Sequence, residues 1–262
     1  GLWAPWAAPA PGPVRLEVYY KPVCPHCADF VRGQLLPVVE AGLPGLQVTL
    51  LPYIAPRPAN KAACLADPSC GEALAPLCGL KGTLPQPAAG DSPALLAGAR
   101  FAECDLGYTA SGGRSEATLQ QCASRAGLRW LGAGGLQECL SGPESFDLLM
   151  TPEDYQNRIL AAVARFRSAG FGGVGVPWIF LGDDVLACSG QGCFATQTPA
   201  GTTPLARPGS LLYLVCAKLD PKPAGCAGAA PLATSGGGAP GTTPPCENCA
   251  EVGAFRWRAG AD

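Results

Sequence analysis

From Val14 to Tyr20 apolar and polar positions alternate, with Val14, Leu16, Val18 and Tyr20 set against Arg15, Glu17 and Tyr19. A period of two in β-branched and aromatic residues predicts a strand. From Pro25 the period lengthens: Phe30, Val31, Leu35, Val38 and Val39 form an approximate helical stripe ending near Gly42, and Pro37 predicts a kink in it. Leu46 to Tyr53 is again apolar with Val48 and Leu50 in β-favoured places, a second strand expected to run parallel to the first after a right-handed crossover. Between Ile54 and about Met150 the pattern breaks into short helical pieces punctuated by Pro and Gly. Thr151 then caps a predicted helix, with Pro152 first, Glu153 and Asp154 in its first turn, Tyr155, Ile159, Val163 and Phe166 on one face, and Gly170 after it. Val176 to Leu181, Gly182-Asp183-Asp184, and Val185 to Ala187 read as a hairpin whose first strand opens on Pro177. Gly209-Ser210 introduces a last helix, Leu211 to Leu219, which Pro221 stops.

These elements divide the chain into a flexible N-terminal segment at 1–13, an α/β domain at 14–219, and a Pro/Gly-rich, low-complexity tail at 220–262. The α/β domain has its core in 14–53 and 151–219, with a cysteine-rich, mainly helical insertion at 54–150. A chain of 262 residues can bury a full core as one elaborated domain or two small ones. Its 18 basic and 20 acidic residues leave a net charge of −2, so neither nucleic acid nor an anionic membrane surface is an expected partner. No apolar run reaches the roughly 18 residues of a membrane span. With Gly1 first, the chain reads as a mature, soluble product whose targeting peptide has been removed or was never included. Asn60, Asn157 and Asn248 are followed two places on by Ala, Ile and Ala, so N-glycosylation is not expected.

Fourteen cysteines change the picture, because so many point to an oxidising compartment. Twelve fall into two even groups, Cys64, Cys70, Cys78, Cys104, Cys122 and Cys139, then Cys188, Cys193, Cys216, Cys226, Cys246 and Cys249. Up to six structural bridges follow, with the connectivity within each group open.

The other two, in Cys24-Pro25-His26-Cys27, sit where the first strand meets the first helix. Pro25 suits the first helical position, where an N–H would be unbonded anyway. Cys24 is therefore expected at a helix N-terminus, where unbonded N–H groups and the positive end of the macrodipole favour thiolate over thiol. Lys21 and His26 are expected to add to that effect. Because the thiolate is the attacking species, this placement suits thiol–disulfide exchange, with Cys24 as nucleophile and Cys27 as resolving thiol. Two other readings stay open. Cys246-Glu247-Asn248-Cys249 offers a second pair for a four-cysteine zinc site, or the short Cys24–Cys27 loop is a purely structural bridge. His26 is the only histidine, which excludes chemistry needing a separate histidine base. Glu17 is a candidate proton acceptor for Cys27, although its place on the strand better suits a solvated or edge carboxylate.

The order β-α-β, helix, β-hairpin, helix resembles a thioredoxin-like fold, in which a cis-proline before the hairpin faces the Cys-x-x-Cys motif. That resemblance implies a cis Val176–Pro177 bond; without it Pro177 is an edge-strand proline. More narrowly, the chain resembles the gamma-interferon-inducible lysosomal thiol reductase (GILT) family over roughly residues 14 to 219. The resemblance rests on Val18-Tyr19-Tyr20 leading into the motif, Val48-Thr49-Leu50-Leu51-Pro52-Tyr53 after the helix, and the cysteine-bearing insertion. Glu138-Cys139 followed by Gly142, Val176-Pro177-Trp178-Ile179, and Leu212 to Cys216 complete it.

The resemblance implies an enzyme reducing disulfides of partly unfolded proteins, with Cys24 as nucleophile, Cys27 as resolving cysteine and Pro177 as the cis-proline; His26, between the two cysteines, joins them as a candidate site residue from its position. The same resemblance implies recharging by a small-thiol or protein reductant, no cofactor or metal, and a lysosomal, vacuolar or secretory lumen, with secretion also open. The family's Cys-Gln-His-Gly run has no faithful copy here; Cys64 to Cys70 occupies its place. The inner dipeptide Pro25-His26 resembles that of the bacterial periplasmic disulfide oxidant, which leaves the direction of catalysis open between reductase and oxidase or isomerase. A non-catalytic disulfide-rich or zinc-binding module is the alternative from a different class.

Overall fold

The computed structural model describes residues 12–54, 58–84, 86–150, 157–168, 176–198 and 201–231. Its centre is a mixed sheet of strand order β3-β2-β1-β4-β5-β6-β7. The alternating segment is β1 (Val14–Tyr20) and the second apolar run is β2 (Leu46–Pro52), paired in parallel with Leu16 opposite Val48 and Val18 opposite Leu50. Beyond β2 lies the two-residue β3 (Ala88–Ala89). On the other side β4 (Trp178–Leu181) pairs antiparallel with β1 and turns through Gly182-Asp183 into β5 (Asp184–Ser189). Gly182 sits at φ 63°, a backbone conformation that glycine adopts without steric cost, which explains the tight hairpin expected there. The sheet extends further than the sequence pattern indicates. Strands β6 (Gly192–Thr198) and β7 (Gly201–Gly209) continue the antiparallel meander, and Pro204 and Pro208 are tolerated because β7 is an edge.

Between β1 and β2 the chain is helical as α1 (Pro25–Phe30), a π segment (Val31–Leu35) and α2 (Leu36–Glu40). Where the sequence predicts a kink the hydrogen-bond ladder changes to π: Pro37 has no N–H to return to the preceding turn, and the ladder widens just before it. The next helices are α3 (Lys61–Ala66), α4 (Pro68–Leu80), α5 (Pro93–Ala110), α6 (Glu116–Ala126), α7 (Leu136–Ser141) and α8 (Glu144–Met150), followed by α9 (Asn157–Ser168) and finally α10 (Leu211–Lys218). The helix start expected at Thr151 lies outside the described residues.

Segment 58–150 does not stand apart from the sheet. Leu74, Leu77 and Leu80 of α4 and Leu95, Ala99 and Ala102 of α5 join Leu16, Val18, Leu35 and Val48 in one core. The other faces of the same two helices, through Ala75, Cys78, Phe101 and Cys104, build a smaller cluster with Cys122, Trp130 and Cys139. A nearly all-apolar helix such as α4 is explained by burial on both sides. Ten cysteines pair as Cys64–Cys70, Cys78–Cys139, Cys104–Cys122, Cys188–Cys193 and Cys216–Cys226. Every pair lies within the group to which its sequence position assigned it, and Cys246 and Cys249 lie outside the described residues. The described start of the low-complexity stretch is tied down rather than loose: Cys226 is bridged to Cys216, Pro231 bridges to Gly209, and a Cβ at Gly225 would collide with the Ala41 carbonyl. No described helix is long and apolar enough to cross a membrane.

Candidate active site

Cys24 is the N-cap of α1, with extended backbone at φ −98° and ψ 115°, and Pro25 follows at the first helical position as expected. The backbone N–H groups of Cys27 and Ala28 donate to the Cys24 carbonyl, closing the first turn at 3.1 Å each. No side-chain cap takes the remaining N-terminal amides, which leaves them available to sulfur. Cys24 and Cys27 stand as thiols. The Cys24 thiol donates to the Val176 carbonyl at 3.8 Å, and the Lys21 N–H donates to Cys27 Sγ at 3.4 Å. Through this thiol contact the segment leading into β4 meets the start of α1 across 152 positions of sequence, and the Val176–Pro177 bond there is cis.

The two thiols differ in acidity. Cys24 is lowered to about 7, first by the hydrogen bond from the Cys27 thiol, against the opposing effect of burial, and then by the N–H groups of Cys27 and His26 and the charge of Lys21. Cys27, fully buried, is raised well above the thiol range, first by that burial and then by its bond to Cys24 and the charge there. Two adjacent thiols pushed apart in this way are chemically able to divide the work of disulfide exchange, one supplying thiolate and the other holding its proton until the first has reacted. Lys21 contributes as expected from sequence. His26 contributes through its backbone amide rather than its half-buried ring.

Glu17 is not near this chemistry. Alternation places it with Tyr19 on the other face of β1 from Leu16, Val18 and Tyr20. There Arg165 of α9 pairs with it at 2.7 Å, donates to the Gly182 carbonyl at 2.8 Å, and lies 4.2 Å over the Phe180 ring. The Tyr19 hydroxyl donates to the same carboxylate at 2.8 Å. The expected solvated carboxylate is thus a bound one, and it serves to dock α9 rather than to move a proton at Cys27.

Gln34 is a supporting residue that sequence reasoning missed. It is 4 % exposed; its amide N–H donates to the Gly190 carbonyl at 2.9 Å and its oxygen accepts the Leu211 N–H at 2.9 Å. One side chain therefore fastens the helix carrying the Cys24 motif to the β5–β6 turn and to the start of α10. A polar residue inside an otherwise apolar stripe was the available signal. Gly33, beside it, allows the same close approach, since a Cβ there would strike the Gly190 carbonyl.

Among the described residues no group of three or more His, Cys, Asp or Glu is arranged to hold a metal, and the cysteines the zinc alternative needs, Cys246 and Cys249, lie outside them. Neither a family model nor a curated protein matches this chain, so the site is read from its own geometry.

Proposed function

We propose that this chain is a thiol–disulfide oxidoreductase with a thioredoxin-like core and a helical, disulfide-stapled insertion, a divergent relative of the GILT family. The observation that carries the reading is the opposed acidity of Cys24 and Cys27 at an uncapped helix N-terminus facing Val176–Pro177. The Cys24 thiolate attacks one sulfur of a substrate disulfide, forms a mixed disulfide and releases the other sulfur as thiolate. Cys27 gives up its proton and attacks Cys24 Sγ, which releases the second substrate thiolate and leaves a Cys24–Cys27 disulfide. Two electrons pass to the substrate, and a small-thiol or protein reductant resets the pair. Cys24 is only 2 % exposed, so the substrate sulfur has to be presented closely to it. That requirement favours extended or partly unfolded polypeptides over folded ones.

The five disulfides suit a lysosomal or secretory lumen. With Cys24 near 7, thiolate falls to about 1 % of the population at pH 5, which favours a near-neutral lumen over an acidic one. The same value keeps an oxidase or isomerase as the second reading, separated from the reductase by the reduction potential of the Cys24–Cys27 pair. The test is reduction of a denatured disulfide substrate from about pH 4.5 to 7.5, comparing wild type with Cys24→Ser, together with titration of the pair against a glutathione couple. Activity that rises towards neutral pH and disappears in the variant is expected. Absence of activity at every pH, or activity undiminished in Cys24→Ser, overturns the proposal.

A further inference from the structure

Away from the thiols, three arginines from three elements converge on one cleft. Arg32 comes from the π segment of the Cys24 helix, Arg100 from α5 and Arg125 from the last turn of α6. They line a cavity of about 340 Å³ with Glu103, Tyr108 and the Cys104 end of the Cys104–Cys122 bridge. That volume lies in the range of sites for small ligands or a few side chains.

The cationic charge is only partly answered from within. Arg32 pairs with Glu103 at 2.7 Å and Arg100 with Glu40 at 3.0 Å. In both pairs the side chains are exposed to solvent, from 22 % at Glu103 to 58 % at Arg32, so these are weak pairs that exchange partners readily. Arg125 has no carboxylate partner among the described residues. The Tyr108 hydroxyl donates to Gln121 at 2.7 Å, which holds its ring at the rim. Asp29 also acts on the Arg32 charge, so Arg32 and Arg100 are answered by Glu103, Asp29 and Glu40, and Arg125 is the guanidinium left without a carboxylate among the described residues. One unpaired guanidinium beside several carboxylates fits a monoanionic carboxylate, whose two oxygens match the guanidinium fork, better than a phosphate dianion that would press on Glu103.

We propose that this cleft binds carboxylates, and that its occupant is an acidic segment of the substrate polypeptide. The choice of occupant rests on the redox reading; carboxylate binding itself does not. Arg32 follows Cys24 by eight residues along one helical run, a distance of about 12 Å at helical rise. An extended chain spans that in about four residues. An Asp or Glu about four residues from a substrate cysteine therefore reaches the cleft while its disulfide is engaged at Cys24.

The experiment uses the full chain carrying Cys24→Ser, so that binding is read without turnover. A fluorescein-labelled peptide rich in Asp and Glu, its Asn/Gln counterpart, free glutarate and inorganic phosphate are titrated by anisotropy or competition. The acidic peptide is expected to bind, its amide counterpart to bind at least about tenfold more weakly, and Arg125→Gln with Arg100→Gln to remove a similar factor without shifting the melting temperature. Arg125→Lys, which keeps the charge but not the fork, is expected to restore part of the binding.

Competition by glutarate at concentrations comparable to the peptide would retain the carboxylate site and overturn the polypeptide as its occupant. Equal binding of the amide peptide, unchanged binding in the arginine variants, or tighter binding of phosphate than of carboxylates would overturn the site. In the chain with Cys24 intact, the arginine substitutions are expected to raise KM for a disulfide peptide with acidic flanks and leave kcat unchanged. If peptide binding holds while no disulfide is reduced, the cleft stands and the redox reading falls.

Discussion

Two helices of this protein begin in the same way and end up with different chemistry. Cys24-Pro25-His26-Cys27 opens α1 and Asp67-Pro68-Ser69-Cys70 opens α4, each with an extended N-cap, proline at the first helical position and cysteine two places later. The N-cap backbones are almost superposable in angle, φ −98° and ψ 115° against φ −95° and ψ 114°. At α4 the Asp67 carboxylate accepts the N–H groups of Ser69 and Cys70 at 2.8 and 3.2 Å, and Cys70 is closed in a bridge to Cys64. At α1 the N-cap residue carries a sulfur that does not close a side-chain cap, and the same amide positions lower its pKa instead. A helix N-terminus provides a preference for negative charge. Which atom occupies it decides between an inert cap and a reagent.

That contrast can be broken most severely at the sulfur. Cys24→Ser puts an oxygen at the α1 N-cap and makes it resemble α4; disulfide reduction should fall to background while the melting temperature moves by no more than a few degrees, measured by turnover and thermal denaturation. Next in size is the pH dependence. The attacking form of Cys24 is lost as pH falls through about 7, so iodoacetamide alkylation should slow about tenfold per pH unit below that point and level off above it. A profile still flat at pH 5 would show thiolate stabilisation much stronger than this geometry provides.

Cys27→Ala removes the largest contribution holding Cys24 down, so the alkylation midpoint should move above 7; the mixed disulfide, with no resolving thiol, should accumulate and be visible by mass spectrometry. The smallest effect belongs to the inert partner: Asp67→Ala should cost about 1 kcal/mol in urea unfolding, the ordinary loss for a carboxylate N-cap, and leave disulfide reduction unchanged.

Much of the α/β frame was legible because it rests on local periodicity and local stop signals. β1, β2 and the α1 start followed from alternation and from Pro25, the β4–β5 hairpin from Gly182-Asp183, and α10 from Ser210, whose hydroxyl accepts the Tyr213 N–H as a cap. β6 and β7 were not legible: glycines, threonines and two prolines read as loop when neighbouring strands are not considered, and pairing supplies what propensity lacks. Glu17 was misjudged for the same reason, since its partner Arg165 lies 148 positions away. The carboxylate cap at Asp67 was overlooked although its pattern matches the one recognised at Cys24.

By itself, then, the sequence determined where a sulfur meets a helix N-terminus, because Cys24, Pro25 and the apolar stripe after them are neighbours in the chain and act over one or two turns. Only the tertiary structure decided that the Val176 carbonyl meets that sulfur, that Gln34 fastens the helix bearing it, that Cys78 bridges Cys139, and that three arginines share a cleft. Each of these joins residues tens to hundreds of positions apart, and the alternatives differ in packing and burial rather than in any local preference that the residue order expresses.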